Sequence, residues 1–526
     1  MKKIKKIFAL LIAMVMVLGT MSMSAFAADT NPKGSITINP AVTDPQADTT
    51  TYEAYKIFDM TTNGATDDDG NYTAVAYTIN SNWANFFAAG GPGASYIVAT
   101  NPGSLNPIAV DGTTKYINIT DSNVAAFAKA AYEYAMTAPV AATTSKTVAK
   151  GTKTVEFTGL DLGYYMVYPV GASINIDTYT SIVSLTSTSP DAEIAQKAKY
   201  PTLTKEADDI SVEVGQKVTY TLKSTVPDTT GYTKYEMVFA DTTTAGLTFD
   251  GVSSIKVTIG GTELAAADYS VSTANPDFEL TIDMLKDQDG KKVAKYTYDD
   301  EIVVTYTATV NEAAVVKIDE NNATLKYNNN PKDDTSTGTT PPVVVKTYSS
   351  KVVIEKVDGA DSSKMLEGAK FVLRCKTPGT AEGDSHETDL AAGKYYFYDA
   401  TAKNVKWVTP ASVVAADLAK DTTITVVTTD ANGAANFDGL EDGVYELIEV
   451  EAPKGYNLLT TPTEFTIAGS DTDVQALTVT AEVKNNSGTM LPSTGGIGTT
   501  IFYIIGAILV IGAGVVLVTR RRMNAN

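Results

Sequence analysis

The chain has 526 residues, with 41 Lys and Arg against 61 Asp and Glu, a formal net charge of −20. An exterior this acidic excludes nucleic acid as a partner, because phosphate contacts need clustered Lys and Arg. The single cysteine, Cys375, excludes an internal disulfide framework, and at roughly 150 residues per domain the length allows about three domains.

In chain order, Lys2, Lys3, Lys5 and Lys6 precede an apolar run from Ile7 to Leu18 and a small-residue stretch, Ala25 to Ala27. This is the pattern of a secretory signal over residues 1–27, with the mature chain starting near Ala28. Setting aside those lysines and the three terminal arginines makes the mature body more acidic still. From there, runs rich in Val, Ile, Thr and Tyr alternate with Gly, Asn, Asp and Pro turns: "KTVEFTGL", "KVTYTLKS", "EIVVTYTATV", "TITVVTTD". They predict antiparallel β-sandwiches and an all-β fold class. The exception is "DSNVAAFAKAAYEYAM", with Asp121 or Ser122 as cap and an apolar stripe through Val124, Phe127 and Ala131, which predicts a helix packed on the first domain.

Composition shifts near "KAKYPTLTKEADD" and after "NNNPKDDTSTGTTPPVVVKTYSS" divide the mature chain into 28–199, 200–347 and 348–490. The acidic stretches "TDDDGNY" and "KDQDGKK" do not continue to a Glu at calcium-loop spacing and read as acidic hairpin turns, so no metal is expected. Cys375 and the only histidine, His386, lie close in sequence and could form a nucleophilic pair. Phe371, Leu373 and Cys375 share one strand face, however, which reads as a buried inert thiol, with His386 solvated in the polar loop "EGDSHETD". With no metal-ligand cluster, phosphate loop or catalytic group, neither enzyme nor cofactor is expected.

The third domain places polar residues on core faces. Val352, Ile354 and Lys356 share a face, as do Tyr445, Leu447 and Glu449, and Leu477, Val479, Ala481, Val483 and Asn485. Burial favours the neutral amine of Lys356 and the protonated form of Glu449. The amine could then attack the Asn485 carboxamide, polarised by Glu449, and expel ammonia to leave an isopeptide bond. The same pattern also fits a lysine snorkelling from a strand end beside a buried hydrogen-bonded pair. In the second domain Leu203 and Lys205 share a face, as do Tyr235, Met237, Phe239 and Asp241, and Asn321, Ala323, Leu325 and Tyr327; Asn322 has the opposite parity.

The chain ends on "LPSTG", Leu491, Pro492, Ser493, Thr494 and Gly495, followed by an uncharged run from Ile501 to Val518 and by Arg520, Arg521 and Arg522. As a helix the run would reach about 27 Å, near the roughly 30 Å of a bilayer core, which predicts a membrane span. The arginines would then lie on the cytoplasmic side.

Residues 491–526 resemble the sorting signal of Gram-positive surface proteins, in which the transpeptidase sortase cuts between Thr494 and Gly495 and passes Thr494 to an amine. "YELIEVEAPKGY" resembles the E-box of Gram-positive pilins, with Val450 where that pattern has Thr. Residues 350–490 resemble the CnaB-type Ig-like repeat. The second domain resembles the isopeptide-forming D2 module of pilus shaft proteins, which implies a Lys205 to Asn321 bond directed by Asp241. In the first domain "DLGYYMVYPVGA" resembles an E-box region but has Tyr168 near the place of the acid, which implies no cross-link there.

The module order, including "TYEAYKIFD", resembles sortase-assembled major pilins over the mature chain. That resemblance implies tandem CnaA- and CnaB-type Ig-like sandwiches. It also implies a cell-surface pilus whose partners are a pilin-specific sortase, a housekeeping sortase, further copies of the chain, minor pilins, peptidoglycan and a host surface. The family carries its acceptor lysine in Tyr-Pro-Lys at the end of the first domain. Here Tyr200 and Pro201 are followed by Thr202, so Lys197 is the first choice and Lys199 the second. A monomeric wall-anchored adhesin or ancillary pilin is the alternative.

Overall fold

Strict alternation of buried and exposed positions builds the strands. Lys217–Thr225 and Glu301–Val310 each turn every second side chain inward. The structure, a computed structural model, describes residues 33–488 and 497–523, apart from 40, 42, 45–48, 63–64, 69–71, 102–104, 121, 139, 175–181, 186–188, 195–197, 274–276 and 380–388. The signal segment 1–27 and Leu491 to Gly495 lie outside the described residues. The chain is mostly β and forms two compact units.

The first unit comprises Met1–Ile210, Lys217–Thr309 and Asp319–Thr347. Its N-terminal part is built on the long strand Thr49–Thr62, flanked by Gly163–Pro169, Val75–Ile79 and Thr144–Ala149. A smaller sheet sets Lys33–Ile38 between Asp191–Ile194, parallel, and Val155–Asp161, antiparallel. The predicted helix is present as Val124–Thr137 and buries Phe127, Ala128, Ala131, Tyr132, Ala135 and Met136 in this core. Its cap is Asn123 rather than Ser122. The Asn123 side chain accepts from the Thr120 amide at 2.8 Å, closing the preceding turn. Asp121 lies outside the described residues.

The rest of this unit is a two-sheet sandwich. Thr204–Ala207, Lys217–Thr225, Glu301–Val310 and Lys256–Ile259 pair in that order, as do Tyr269–Ser272, Phe278–Asp283, Glu236–Thr243 and Lys317–Asn328. The two inner faces meet: the ring of Tyr306 on the first sheet lies 4.8 Å from that of Phe278 on the second. The stretch "KDQDGKK" is a hairpin of Leu285–Gln288 and Lys291–Ala294. Asp289 and Gly290 turn it with φ of 53° and 75°, the left-handed pair that matches strand twist.

The second unit comprises Ser211–Gln216, Val310–Ile318 and Tyr348–Asn526. The strand Val343–Asp358, from Tyr348 onward, pairs antiparallel with Ala434–Leu440 and parallel with Thr478–Asn485. The other sheet runs Asn404–Val408, Tyr395–Asp399, Lys370–Pro378, Gly443–Glu451, Thr463–Ile467. Ile354, Phe371, Leu373, Cys375, Trp407, Leu447 and Val483 lie in the core between them. Trp407 Nε1 donates to Glu213 at 2.6 Å.

Val372, on the opposite face from Phe371 and Leu373, is also fully buried. It joins Tyr395, Leu418, Ile424 and Val450 in a second apolar cluster beneath the helix Ala415–Leu418. Val450, the departure from the pilin motif, therefore packs in an apolar cluster. The strand expected over "TITVVTTD" shrinks to Val427–Thr428. Ile424 turns into the small cluster and the Thr425 amide donates to the Tyr396 carbonyl at 3.0 Å, which takes the chain away from regular pairing.

The expected membrane span over Ile501 to Val518 requires correction. A helix runs over Ile497–Met523, but among the described residues no helix is long and apolar enough to cross a membrane.

Leu373, fully buried at the centre of the second unit's core, sets a test of this packing. Leu373→Ala should cost about 2–5 kcal/mol in chemical denaturation, from lost transfer energy and the cavity left behind. An unchanged midpoint would place Leu373 outside the core.

Candidate functional site

In the second unit, parallel register sets Lys356 opposite Val483 and Asp358 opposite Asn485. Antiparallel pairing sets Glu449 opposite Phe371 on the facing sheet. The three polar side chains converge with relative exposures of 0% for Lys356, 3% for Glu449 and 0% for Asn485. Lys356 Nζ donates to Asn485 Oδ1 at 2.7 Å and to the Val483 carbonyl at 2.9 Å. Asn485 Nδ2 donates to both Glu449 oxygens, each at 2.9 Å, and to the Asn457 carbonyl at 2.9 Å. The Leu459 amide donates to Glu449 Oε2 at 2.8 Å, and Lys356 Nζ lies 4.0 Å from Glu449 Oε1.

Burial dominates the electrostatics. It pushes the Lys356 ammonium down to about 8, against the attraction of Glu449. It also raises the Glu449 carboxyl above the usual carboxylate range, against the hydrogen bonds from Asn485 and Leu459. Both shifts favour an uncharged pair. The acid holds the carboxamide nitrogen while the amine touches the carboxamide oxygen, so a nucleophile, an electrophile and a proton donor to the leaving group occupy one dry site.

The first unit repeats the constellation across its sandwich. Lys205, paired opposite Leu222, projects from one sheet; Asp241 and Asn321 project from the other, where Thr243 is opposite Asn321. Lys205 Nζ donates to Asp241 Oδ2 and to Asn321 Oδ1, both at 2.6 Å, and both members of the ion pair have fully buried side chains. The ammonium also lies 5.2 Å and 5.7 Å from the ring centres of Tyr220 and Tyr306. Desolvation again pushes Lys205 down to about 8, opposed by Asp241. It raises Asp241, opposed by Lys205 and by a hydrogen bond from Tyr306. Asn322 is half-buried, on the other face from Asn321.

Sequence parity missed three contributors. Tyr306 was visible only as one more inward aromatic in "EIVVTYTATV", yet its hydroxyl donates to Asp241 Oδ2 at 2.5 Å and accepts from Asn321 Nδ2 at 3.0 Å. The Asn457 carbonyl and Leu459 amide come from a loop and carry no side-chain signal.

Tyr168, expected near the place of an acid in the first domain, is buried with its hydroxyl 2.9 Å from the Tyr55 hydroxyl and 3.1 Å from Glu53 Oε2. Lys332 Nζ closes this cluster, donating to the two Glu53 oxygens at 3.0 and 2.8 Å and to the Tyr55 hydroxyl at 2.9 Å. Lys199 is exposed and pairs with Asp299 at 3.2 Å. Lys197, Thr494 and His386 lie outside the described residues. Cys375 is buried and its thiol is pushed up to about 12, mainly by desolvation, so it is unreactive as a thiolate. Among the described residues no group of three or more His, Cys, Asp and Glu could hold a metal ion.

Residues 214–331 match the family model described as Gram-positive pilin backbone subunit 2, Cna-B-like domain. Residues 350–483 match a prealbumin-like fold domain, and 483–525 the LPXTG cell wall anchor motif. The fimbrial subunit type 1 of Actinomyces viscosus is 27% identical over 343 residues, 59% of this chain and 62% of that protein, so the match spans less than two thirds of that relative. The trypsin-resistant surface T6 protein of Streptococcus pyogenes is 26% identical over 383 residues, 62% of this chain and 70% of that protein.

Among solved structures, the group B streptococcus pilus 2b backbone protein is 26% identical, covering 55% of this chain and 99% of its own, with a TM-score of 0.41. The full-length major pilin SpaD from Corynebacterium diphtheriae is 20% identical, covering 88% of this chain and 100% of its own, with a TM-score of 0.45. The matched segments define a cell-wall protein of tandem Cna-B-like and prealbumin-like domains. Within that class residues 214–331 are similar to Gram-positive pilin backbone subunits.

The tyrosine cluster yields a check on the first domain. Tyr168→Phe removes a buried hydroxyl bonded to the Tyr55–Glu53 pair and should cost about 1 kcal/mol, the ordinary net worth of a buried hydrogen bond. Equal denaturation midpoints for variant and parent would show that the hydroxyl is not part of the network.

Proposed function

We propose that the chain is the shaft subunit of a covalently polymerised pilus, built of modules 28–199, 200–347 and 348–490 between a signal segment and a sorting signal. In this reading a pilin-specific sortase cuts after Thr494 and joins it to a lysine of the next copy, Lys197 first and Lys199 second. A housekeeping sortase transfers the finished fibre to peptidoglycan, and minor pilins accompany it. The matches to pilin backbone and wall-anchor models support this reading. The second and third modules would each hold an amide cross-link, Lys205 to Asn321 and Lys356 to Asn485.

The observation that carries the cross-links is the contact of Lys356 Nζ with Asn485 Oδ1 at 2.7 Å while Glu449 holds the leaving nitrogen at 2.9 Å. The amine nitrogen bonds to the Asn485 side-chain carbon and the carbon–nitrogen bond of the carboxamide breaks. One amine proton reaches the leaving nitrogen through Glu449, ammonia departs, and the acid returns to its first state. The linked residues are 116 and 129 positions apart. By the chain-entropy argument used for disulfides, each link would stabilise the fold by about 5 kcal/mol.

Two bonds should lower the intact mass of the purified chain by about 34 Da, one ammonia each. Glu449→Ala should restore half of that difference, and an unreduced mass in folded protein would rule out both bonds. The pH dependence follows from the single proton shared by amine and carboxyl. The reactive state, neutral amine beside protonated acid, holds that proton and loses it as pH rises past the Lys356 value of about 8. Cross-linking of freshly synthesised chain should therefore slow above about pH 8; a rate still climbing at pH 10 would contradict the shared proton. Polymerisation is tested in boiled wall extracts. A high-mass ladder should vanish with Thr494→Ala and with Lys197→Ala, whereas loss only with Lys199→Ala would move the acceptor. A single monomer-sized band from the parent would point to a monomeric adhesin.

A further inference from the structure

Each acid stands beside a buried lysine and asparagine, but the two reach their asparagines differently. Glu449 receives Asn485 Nδ2 directly on both oxygens. Asp241, one methylene shorter, makes no such contact with Asn321 among the described residues: its Oδ2 takes Lys205 at 2.6 Å and the Tyr306 hydroxyl at 2.5 Å. The Asn321 nitrogen donates instead to that same Tyr306 hydroxyl, at 3.0 Å. Tyr306 is held in this orientation by Phe278 at 4.8 Å edge-on and by Tyr220 stacked at 5.5 Å.

We propose that Tyr306 carries the proton between Asp241 and the leaving nitrogen of Asn321, its hydroxyl making up for the methylene that aspartate lacks. The inference rests on the reading that a Lys205 to Asn321 bond forms. As the Lys205 nitrogen bonds to the Asn321 side-chain carbon, it gives a proton to Asp241 Oδ2. Asp241 passes a proton to the Tyr306 oxygen while the hydroxyl gives up its own to the Asn321 nitrogen. The carboxamide carbon–nitrogen bond breaks and ammonia leaves, with Asp241 and Tyr306 as they began. A neutral phenol is required, since only that form both donates and accepts. Burial keeps Tyr306 neutral, far above the ordinary phenol value. The Glu449 site needs no such carrier because its acid already touches the nitrogen.

The test uses both sites of one molecule. Full chain is made in a short cell-free pulse and chased, and the Lys205–Asn321 and Lys356–Asn485 linked peptides are counted by mass spectrometry over time. Tyr306→Phe keeps the ring and should slow the first link by on the order of 100-fold or more, the usual worth of a positioned proton donor, leaving the second unchanged. Adding Asp241→Glu to Tyr306→Phe should recover the first link, because the longer acid reaches the nitrogen itself. A first link forming at the parent rate in Tyr306→Phe overturns the proposal. If that variant does not fold, replacing the tyrosines of the parent chain by 3,5-difluorotyrosine decides. The more acidic phenol should change the rate of the first link relative to the second, and an unchanged ratio overturns the proposal. Absence of the first link from the parent chain would instead strike the reading on which it rests.

Discussion

A lysine ammonium taken out of water is the constraint around which two of the sandwiches are arranged. Lys205 and Lys356 have fully buried side chains, and desolvation drives both toward the neutral amine. A buried charge must be paired, hydrogen-bonded or neutralised. Here all three responses meet in one place, because each lysine touches a carboxamide oxygen and lies near a carboxyl that burial has itself made reluctant to ionise. The arrangement that relieves the desolvation cost is also one in which a nucleophile rests against an electrophile.

The two sandwiches meet that constraint with different geometry. In the second unit the amine and the carboxamide come from neighbouring parallel strands of one sheet, and the acid descends from the facing sheet. In the first unit the lysine stands on one sheet, and acid and asparagine on the other. A link there would span the core rather than run along a sheet. The shorter acid is accompanied by a phenol from the lysine's own sheet, so the reach to the asparagine nitrogen is shared between two side chains.

The N-terminal part of the first unit is organised on another principle. There Tyr168 is buried, and the nearby charges Glu53 and Lys332 pair directly at 2.8 Å, with the Tyr55 hydroxyl bonded to both. Among the described residues this cluster is a hydrogen-bonded network of phenols, a carboxylate and an ammonium. Its role is to order the core around the long strand Thr49–Thr62 and the helix Val124–Thr137, whose Met136 also meets the Tyr168 hydroxyl.

Period-two patterning by itself determined the β architecture and put Lys205, Asp241, Asn321, Lys356, Glu449 and Asn485 on inward faces, since a strand's side chains alternate whatever it packs against. The same reasoning separated Asn321 from Asn322 by parity. The short helix was legible from its 3.6-residue stripe, though its cap was not, because Asn123 bonds backward to Thr120. Only tertiary structure decided which inward groups meet. Tyr306 looked like any core aromatic until two sheets brought its hydroxyl between Asp241 and Asn321. Val450 looked like a lost threonine until a second apolar cluster covered it. The expected strand over "TITVVTTD" gave way because side-chain burial under a neighbouring helix outweighed β-propensity, a competition between contacts remote in sequence.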